Sequence, residues 1–252
     1  PASTKTKWNE SWFAGVRGPA RVSQEKKLLW CSWALHFYTA SGAVFGVLAL
    51  KAAAAGQALT AFQWMFLTIF IDGTDGTIAR KLEVWNRLPR IDGRRLDDIV
   101  DYFTYVAVPA AAMVWLNMLP DSVLVWGPIL LTSAFGFANV DAKTEDDYFL
   151  GFPSYWNLVA LYLYCLGWPV WANTLLILTL SVLVFAPIRF IYPSKTKPYR
   201  LLTVIWGLFW TVQTFALVAI PEHLPEWWLP VALLYPVYYV SLSLYLNRRP
   251  TG

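Results

Sequence analysis

Two stretches of this sequence carry residue types that could do chemistry together. In "IDGTDGTIARKL", Asp72, Asp75, Gly76, Ala79 and Arg80 follow the i, i+3, i+4, i+7, i+8 spacing of one helical stripe. In "IDGRRLDDIVDYF", Gly93, Asp97 and Asp101 are spaced by four and make a second stripe. Pro89 lies between them, so the chain can turn back and set the two stripes face to face. Four carboxylates gathered at low dielectric repel one another strongly. A hard divalent cation such as Mg²⁺, Mn²⁺ or Ca²⁺ removes that penalty, because it prefers oxygen ligands. Gly76 and Gly93 clear volume beside the acids for a flat ligand or a phosphate, and Arg80 offers a planar donor suited to phosphate. Metal, phosphate and a small-residue slot together point to phosphoryl-group chemistry.

The elements that must hold these acids are membrane helices. Of the 252 residues 57% are hydrophobic and only 14% are charged, against roughly 25% in soluble domains. Eight apolar runs are long enough to be spans: 28–50, 58–79, 99–119, 122–140, 153–168, 170–190, 201–220 and 226–246. With the N-terminus inside, 19 of the 20 Lys and Arg residues fall on the cytoplasmic side and only Lys51 outside. The positive-inside rule therefore fixes the orientation. The expected fold is all-α, a polytopic integral membrane helix bundle of about eight transmembrane helices with both termini cytoplasmic. Residues 1–27 would be a cytoplasmic leader that lies along the membrane as an interfacial helix, 28–246 the membrane domain and 247–252 a cytoplasmic tail. The first apolar run is too long for a signal-peptide core, so no cleavage is expected. The net charge of +4 sits at helix ends, where anionic headgroups attract it, so nucleic acid is not an expected partner. Cys31 and Cys165 fall within apolar spans and read as packing residues. His36, mid-span, reads as a hydrogen-bonding residue between helices.

The pattern Asp-x2-Asp-Gly-x2-Ala-Arg followed by Gly-x3-Asp-x3-Asp resembles the signature of the CDP-alcohol phosphotransferases. Asp72, Asp75, Gly76, Ala79, Arg80, Gly93, Asp97 and Asp101 occupy all its fixed positions. The 12 residues between Arg80 and Gly93 exceed the family's usual spacer. That length, the extra glycine in "DGTDG", the eight spans and the stretch "DAKTEDDYFLGFPSYWN" are similar to the bacterial phosphatidylcholine synthase branch. The resemblance implies that Asp72, Asp75, Asp97 and Asp101 hold two Mn²⁺ or Mg²⁺ ions, with Asp97 and Asp101 catalytic and Asp101 the general base. It implies that Asp72, Asp75, Gly76, Ala79, Arg80 and Gly93 bind the cytidine nucleotide. It further implies a phosphatidyl transfer from CDP-diacylglycerol to choline with release of CMP. The enzyme would be a homodimer in the bacterial inner membrane, its active site facing the cytoplasm.

A quaternary ammonium is recognised by aromatic faces and nearby negative charge. Candidates near the motif are Tyr102, Tyr105, Asp141, Glu145, Tyr148 and Trp156, with Asp146, Asp147 and Tyr155 in the same stretch. Arg189, Lys195, Lys197 and Arg200 are candidates for the phosphates of the lipid substrate, and they also satisfy the positive-inside rule as they stand. Two other readings stay open. One is a different acceptor (serine or inositol phosphate, or CDP-choline with diacylglycerol); the other is a cation- or proton-coupled transporter using the acids as its ion site.

Overall fold

The computed structural model describes residues 19–88, 90–142, 144 and 146–248. Within them the chain forms eight helical rods in the order the apolar runs predict. Helix α1 (Pro19–Ala54) and α2 (Ala58–Leu82) come first, followed by the single turn α3 (Val84–Arg87). The third rod is α4 (Gly93–Asp101), a π-helical turn (Tyr102–Ala107) and α5 (Val108–Trp115) in succession. Then come α6 (Val123–Ala138), α7 (Trp156–Leu166), α8 (Val170–Leu183), α9 (Arg200–Ala219) and α10 (Trp228–Asn247). Residues 1–18, which include most of the expected leader, lie outside the described residues. Helix α1 has already begun at Pro19, ahead of the apolar run itself.

The chain is a helical membrane protein. Three helices are long and apolar enough to cross a bilayer: Glu25–Ala54 within α1, then α9 and α10. The other expected spans depart from that standard for separate reasons. Helix α2 has 25 residues but carries Asp72, Asp75, Arg80 and Lys81 in its second half. The third rod opens on polar α4 and is interrupted by the π turn. Helices α6, α7 and α8 are 16, 11 and 14 residues long, and at about 1.5 Å per residue none reaches a hydrocarbon thickness of about 30 Å. Large apolar side chains such as Phe37, Phe70, Leu131, Phe135 and Leu201 are exposed, as lipid-facing residues would be. Cys31 is exposed as well, contrary to the packing role expected of it.

The architecture is all-helical, as expected, and carries one short antiparallel strand pair. The run 170–190 stops being helical at Leu183, and Arg189–Ile191 is strand β2, antiparallel to β1 (Tyr148–Leu150), with Leu150 opposite Arg189. Pro187 cannot continue a helix, which accounts for the early end. The β1 side is pinned to the end of α8 by Gly151 N–H donating to Ile188 O (2.8 Å) and Phe152 N–H to Leu183 O (2.9 Å). Strand β2 is tied to α10, since Ile191 N–H donates to Ser243 Oγ (3.1 Å). Gly151 has φ +79°, and a Cβ there would collide with the Val184 carbonyl oxygen. Gly151→Ala should therefore destabilise the fold by at least about 2 kcal/mol, read as a Tm lower by roughly 4–8 °C.

Three local devices position the acid-bearing helices. Helix α2 ends on Glu83 in the left-handed region (φ 48°), whose N–H bonds the carbonyls of Ala79 and Arg80. Helix α4 starts on Asp92, whose Oδ1 accepts from the N–H of Arg94 (3.1 Å) and Arg95 (3.2 Å). On α1, Gly42 and Gly46 let the third rod approach closely. A Cβ at Gly42 would meet Val100 at 2.8 Å, and one at Gly46 would meet Phe103 at 2.7 Å. The π turn has its own cause. Pro109 has no N–H to give the Tyr105 carbonyl and its ring crowds that oxygen, so the preceding turn widens, with Val108 N–H reaching Phe103 O.

Candidate active site

Side-chain oxygens of Asp72, Asp97 and Asp101 all lie within 4.8 Å of one another. They come from the middle of α2 and from two successive turns of α4, the two stripes predicted to face each other. Asp75, one turn further along α2, is buried and accepts a hydrogen bond from Thr39 Oγ1 of α1 (2.7 Å). The four acids line one small cavity together with Thr39, Gly42, Thr68, Ile71, Val100 and Thr104. Tyr105 donates its hydroxyl to Asp72 Oδ2 (2.8 Å). Asp98 adds to the negative potential at Asp101, which also feels Asp72, Asp97 and Asp75.

This donor set fits a divalent cation. Three carboxylates offer hard oxygen ligands, and Mg²⁺ or Mn²⁺ draws such ligands to about 2.1 Å, which brings adjacent ones to about 3 Å. Oxygens within 4.8 Å of one another need only side-chain rotation to close on an ion. Tyr105 and Thr39 each fix one oxygen of Asp72 and Asp75, which orients those carboxylates toward the cluster.

Around the acids the other motif positions are arranged as follows. Gly76 has open space on its Cβ side up to Arg80 Nη1 at 3.5 Å. Arg80 is exposed and donates to Thr77 Oγ1 (3.0 Å). Gly93 faces His36, whose Cε1 would lie 3.1 Å from a Cβ there. His36 Nε2 is buried without a partner among the described residues, so His36 does not make the interhelical hydrogen bond expected of it. Ala79 packs beside Leu35, Val84 and Leu88.

The aromatic and basic candidates divide. Tyr105 reaches the acids. Tyr102 donates to Leu130 O (3.0 Å) and packs edge-on against Phe137, away from them. Trp156 is 0% exposed and donates Nε1–H to Ser133 Oγ (2.8 Å), so it is a core residue. Tyr148 carries the Arg189 guanidinium 5.4 Å from its ring centroid, and Arg189 also pairs with Asp146 (3.2 Å). Asp141 is exposed and its N–H donates to Asn139 Oδ1. Glu145 lies outside the described residues. Lys195 Nζ sits 4.6 Å above the Tyr192 ring, while Lys197 and Arg200 are exposed.

Two participants were not singled out from the sequence. Thr39 could have been found from the polar and small residues His36, Thr39, Gly42 and Gly46, which share one face of an otherwise apolar run. Tyr192, just past β2, had no local signal. It lies within electrostatic reach of Asp72, Arg80, Asp97 and Asp147. Burial, then the charge of Asp72, push its hydroxyl above the usual phenol range, so it stays protonated.

A family model described as CDP-alcohol phosphatidyltransferase matches residues 36–219, from His36 on α1 to the end of α9. That stretch contains every acid of the cluster. The chain belongs to this family. It is therefore a phosphotransferase of phospholipid biosynthesis, and the transporter reading gives way. Among its relatives, the phosphatidylcholine synthase of Pseudomonas aeruginosa is 35% identical over 225 residues, covering 86% of this chain and 92% of the relative. That of Legionella pneumophila is 35% identical over 228 residues, 87% and 89% of the two chains. That of Borreliella burgdorferi is 34% identical over 224 residues, 86% and 95%. These relatives carry the name of the branch that the spacer and the "DAKTEDDYFLGFPSYWN" stretch resemble.

Proposed function

We propose that this protein is a phosphatidylcholine synthase, transferring the phosphatidyl group of CDP-diacylglycerol to choline and releasing CMP. The observation that carries the reading is the convergence of Asp72, Asp97 and Asp101 within 4.8 Å, in a membrane chain whose relatives are phosphatidylcholine synthases over most of their length. Asp72, Asp75, Asp97 and Asp101 would hold two Mn²⁺ or Mg²⁺ ions. When bound, those ions supply charge neutralisation of the diphosphate and polarisation of the phosphorus under attack. Arg80, Gly76, Ala79 and Gly93 would receive the nucleotide, with the room beside Gly76 nearest to Arg80. Asp101 takes the proton from the choline hydroxyl as its oxygen bonds to the lipid-bearing phosphorus and the bond to the CMP oxygen breaks. Lys195, Lys197 and Arg200, all exposed, are the lipid-phosphate contacts we favour, since Arg189 is already paired with Asp146.

Eight spans, both termini inside, an active site at the cytoplasmic face of the bacterial inner membrane and a homodimeric state complete the reading. Nineteen of 20 basic residues support the orientation. A panel of radiolabelled choline, serine and inositol phosphate with CDP-diacylglycerol tests the acceptor: choline alone should yield labelled lipid and equimolar CMP. Incorporation of serine without choline would overturn it. Tyr105 orients a metal ligand in this scheme, so Tyr105→Phe should raise the Mn²⁺ concentration for half-maximal activity by about tenfold, with choline KM little changed.

A further inference from the structure

The aromatic wall for the acceptor is not where the local sequence around the motif would put it. Trp156 and Tyr102 are committed elsewhere, and Tyr148 already has a guanidinium on its face. Tyr155, directly before α7, is differently placed. Its ring lies 6.2 Å from that of Tyr105, and it is within electrostatic reach of Asp72, Asp101, Tyr192 and Tyr235. Tyr239 comes from α10, 84 residues further along the chain (239 − 155), and is within reach of Tyr155 and Tyr235. One face of Tyr239 stacks on Phe190 of β2 at 6.0 Å. Its hydroxyl oxygen is fully buried and has no hydrogen-bond partner among the described residues. A buried phenol left unpaired is costly unless a ligand or ordered water completes it. Tyr235, by contrast, is used structurally, stacked on Trp210 at 5.0 Å and donating to Thr203 O.

We propose that Tyr155 and Tyr239, set beside Asp72 by α7, α10 and the β1–β2 pair, form the subsite that holds the quaternary ammonium of the acceptor. The aromatic faces attract the cation and the unpaired Tyr239 oxygen turns its lone pairs toward it, while the acid cluster supplies the longer-range negative potential. This subsite rests on the proposed choline reaction. It places the ammonium on the α7–α10 side of Asp72, and the nucleotide pocket on the side lined by α1 and α4.

The test compares choline with 3,3-dimethylbutan-1-ol, a neutral alcohol of the same shape, as acceptors for purified enzyme with CDP-diacylglycerol and Mn²⁺. Wild type should prefer choline. Tyr155→Leu and Tyr239→Leu keep bulk and lose the ring, and each should raise choline KM by about tenfold, shrink the preference for choline, and change CDP-diacylglycerol KM less than about twofold. Tyr155→Phe should keep the wild-type preference. If wild type uses choline and both Leu variants keep its preference over the neutral alcohol, the subsite is wrong while the reaction stands. If wild type does not use choline at all, the reaction fails and the subsite with it. A Leu variant that does not purify as a monodisperse species is replaced by Tyr→Met at the same position, read by the same ratio.

Discussion

Asp101→Asn is expected to cut turnover by at least about a thousandfold and to leave the metal-free protein as stable as before, or more so. The first half follows from what the carboxylate does in the proposed reaction. Loss of a general base alone costs about a hundredfold to ten-thousandfold, and this one also belongs to the trio that would ligate metal. The second half follows from the crowd around it. Burial first, then the like charges of Asp72, Asp97, Asp75 and Asp98, disfavour a charged carboxylate at Asp101, so a neutral isostere does not cost the apo state stability. Sites built for chemistry commonly give up stability in this way. Synthase assays together with thermal unfolding in the presence of chelator check both halves. Activity within tenfold of wild type would remove Asp101 from the mechanism, and a large drop in apo stability would make it a structural residue instead.

Removing divalent ions should have an effect of the same size. Enzyme treated with a chelator and desalted should make no measurable lipid, and Mn²⁺ or Mg²⁺ should restore it where K⁺ or a polyamine does not. A readout besides activity is available. At an ion concentration one hundred times its Kd, binding to the folded state adds about 2.7 kcal/mol of stability, which shifts the melting midpoint upward. The shift should vanish in Asp72→Asn and Asp97→Asn, because each removes one of three oxygens that meet within 4.8 Å. Full-rate synthesis in stripped enzyme would mean that the acids serve some other purpose.

Much of the site was legible from spacing because helix period is a local property. Asp72, Asp75, Asp97 and Asp101 could be assigned to facing stripes from residue numbers alone, and α2 and α4 present them that way. The helical rods follow the apolar runs closely for the same reason. The end of α8 was misread because "VFAPIRFIY" is as apolar as the helix before it, and a short apolar run does not tell strand from helix. Only its pairing with Tyr148–Leu150, some forty residues earlier, makes Arg189–Ile191 a strand. Trp156 was misassigned for a similar reason. Its indole satisfies Ser133 on α6, and nothing local to "SYWN" announces that bond. Tyr192 and Tyr239 depend on contacts across the whole bundle, which composition and periodicity do not encode.

The widened turn from Tyr102 to Ala107 carries one residue more than α-helical winding needs, so it can absorb a change of length that an ordinary helix could not. Losing one codon there would return the rod to ordinary winding and keep Asp97 and Asp101 in phase with α5. The swell itself would go, and with it the local offset that carries Tyr105 to Asp72. A single-residue in-frame deletion in this hexapeptide should thus leave a folded bundle with a weakened metal site, whereas one between Asp97 and Asp101 would turn the two acids about 100° apart.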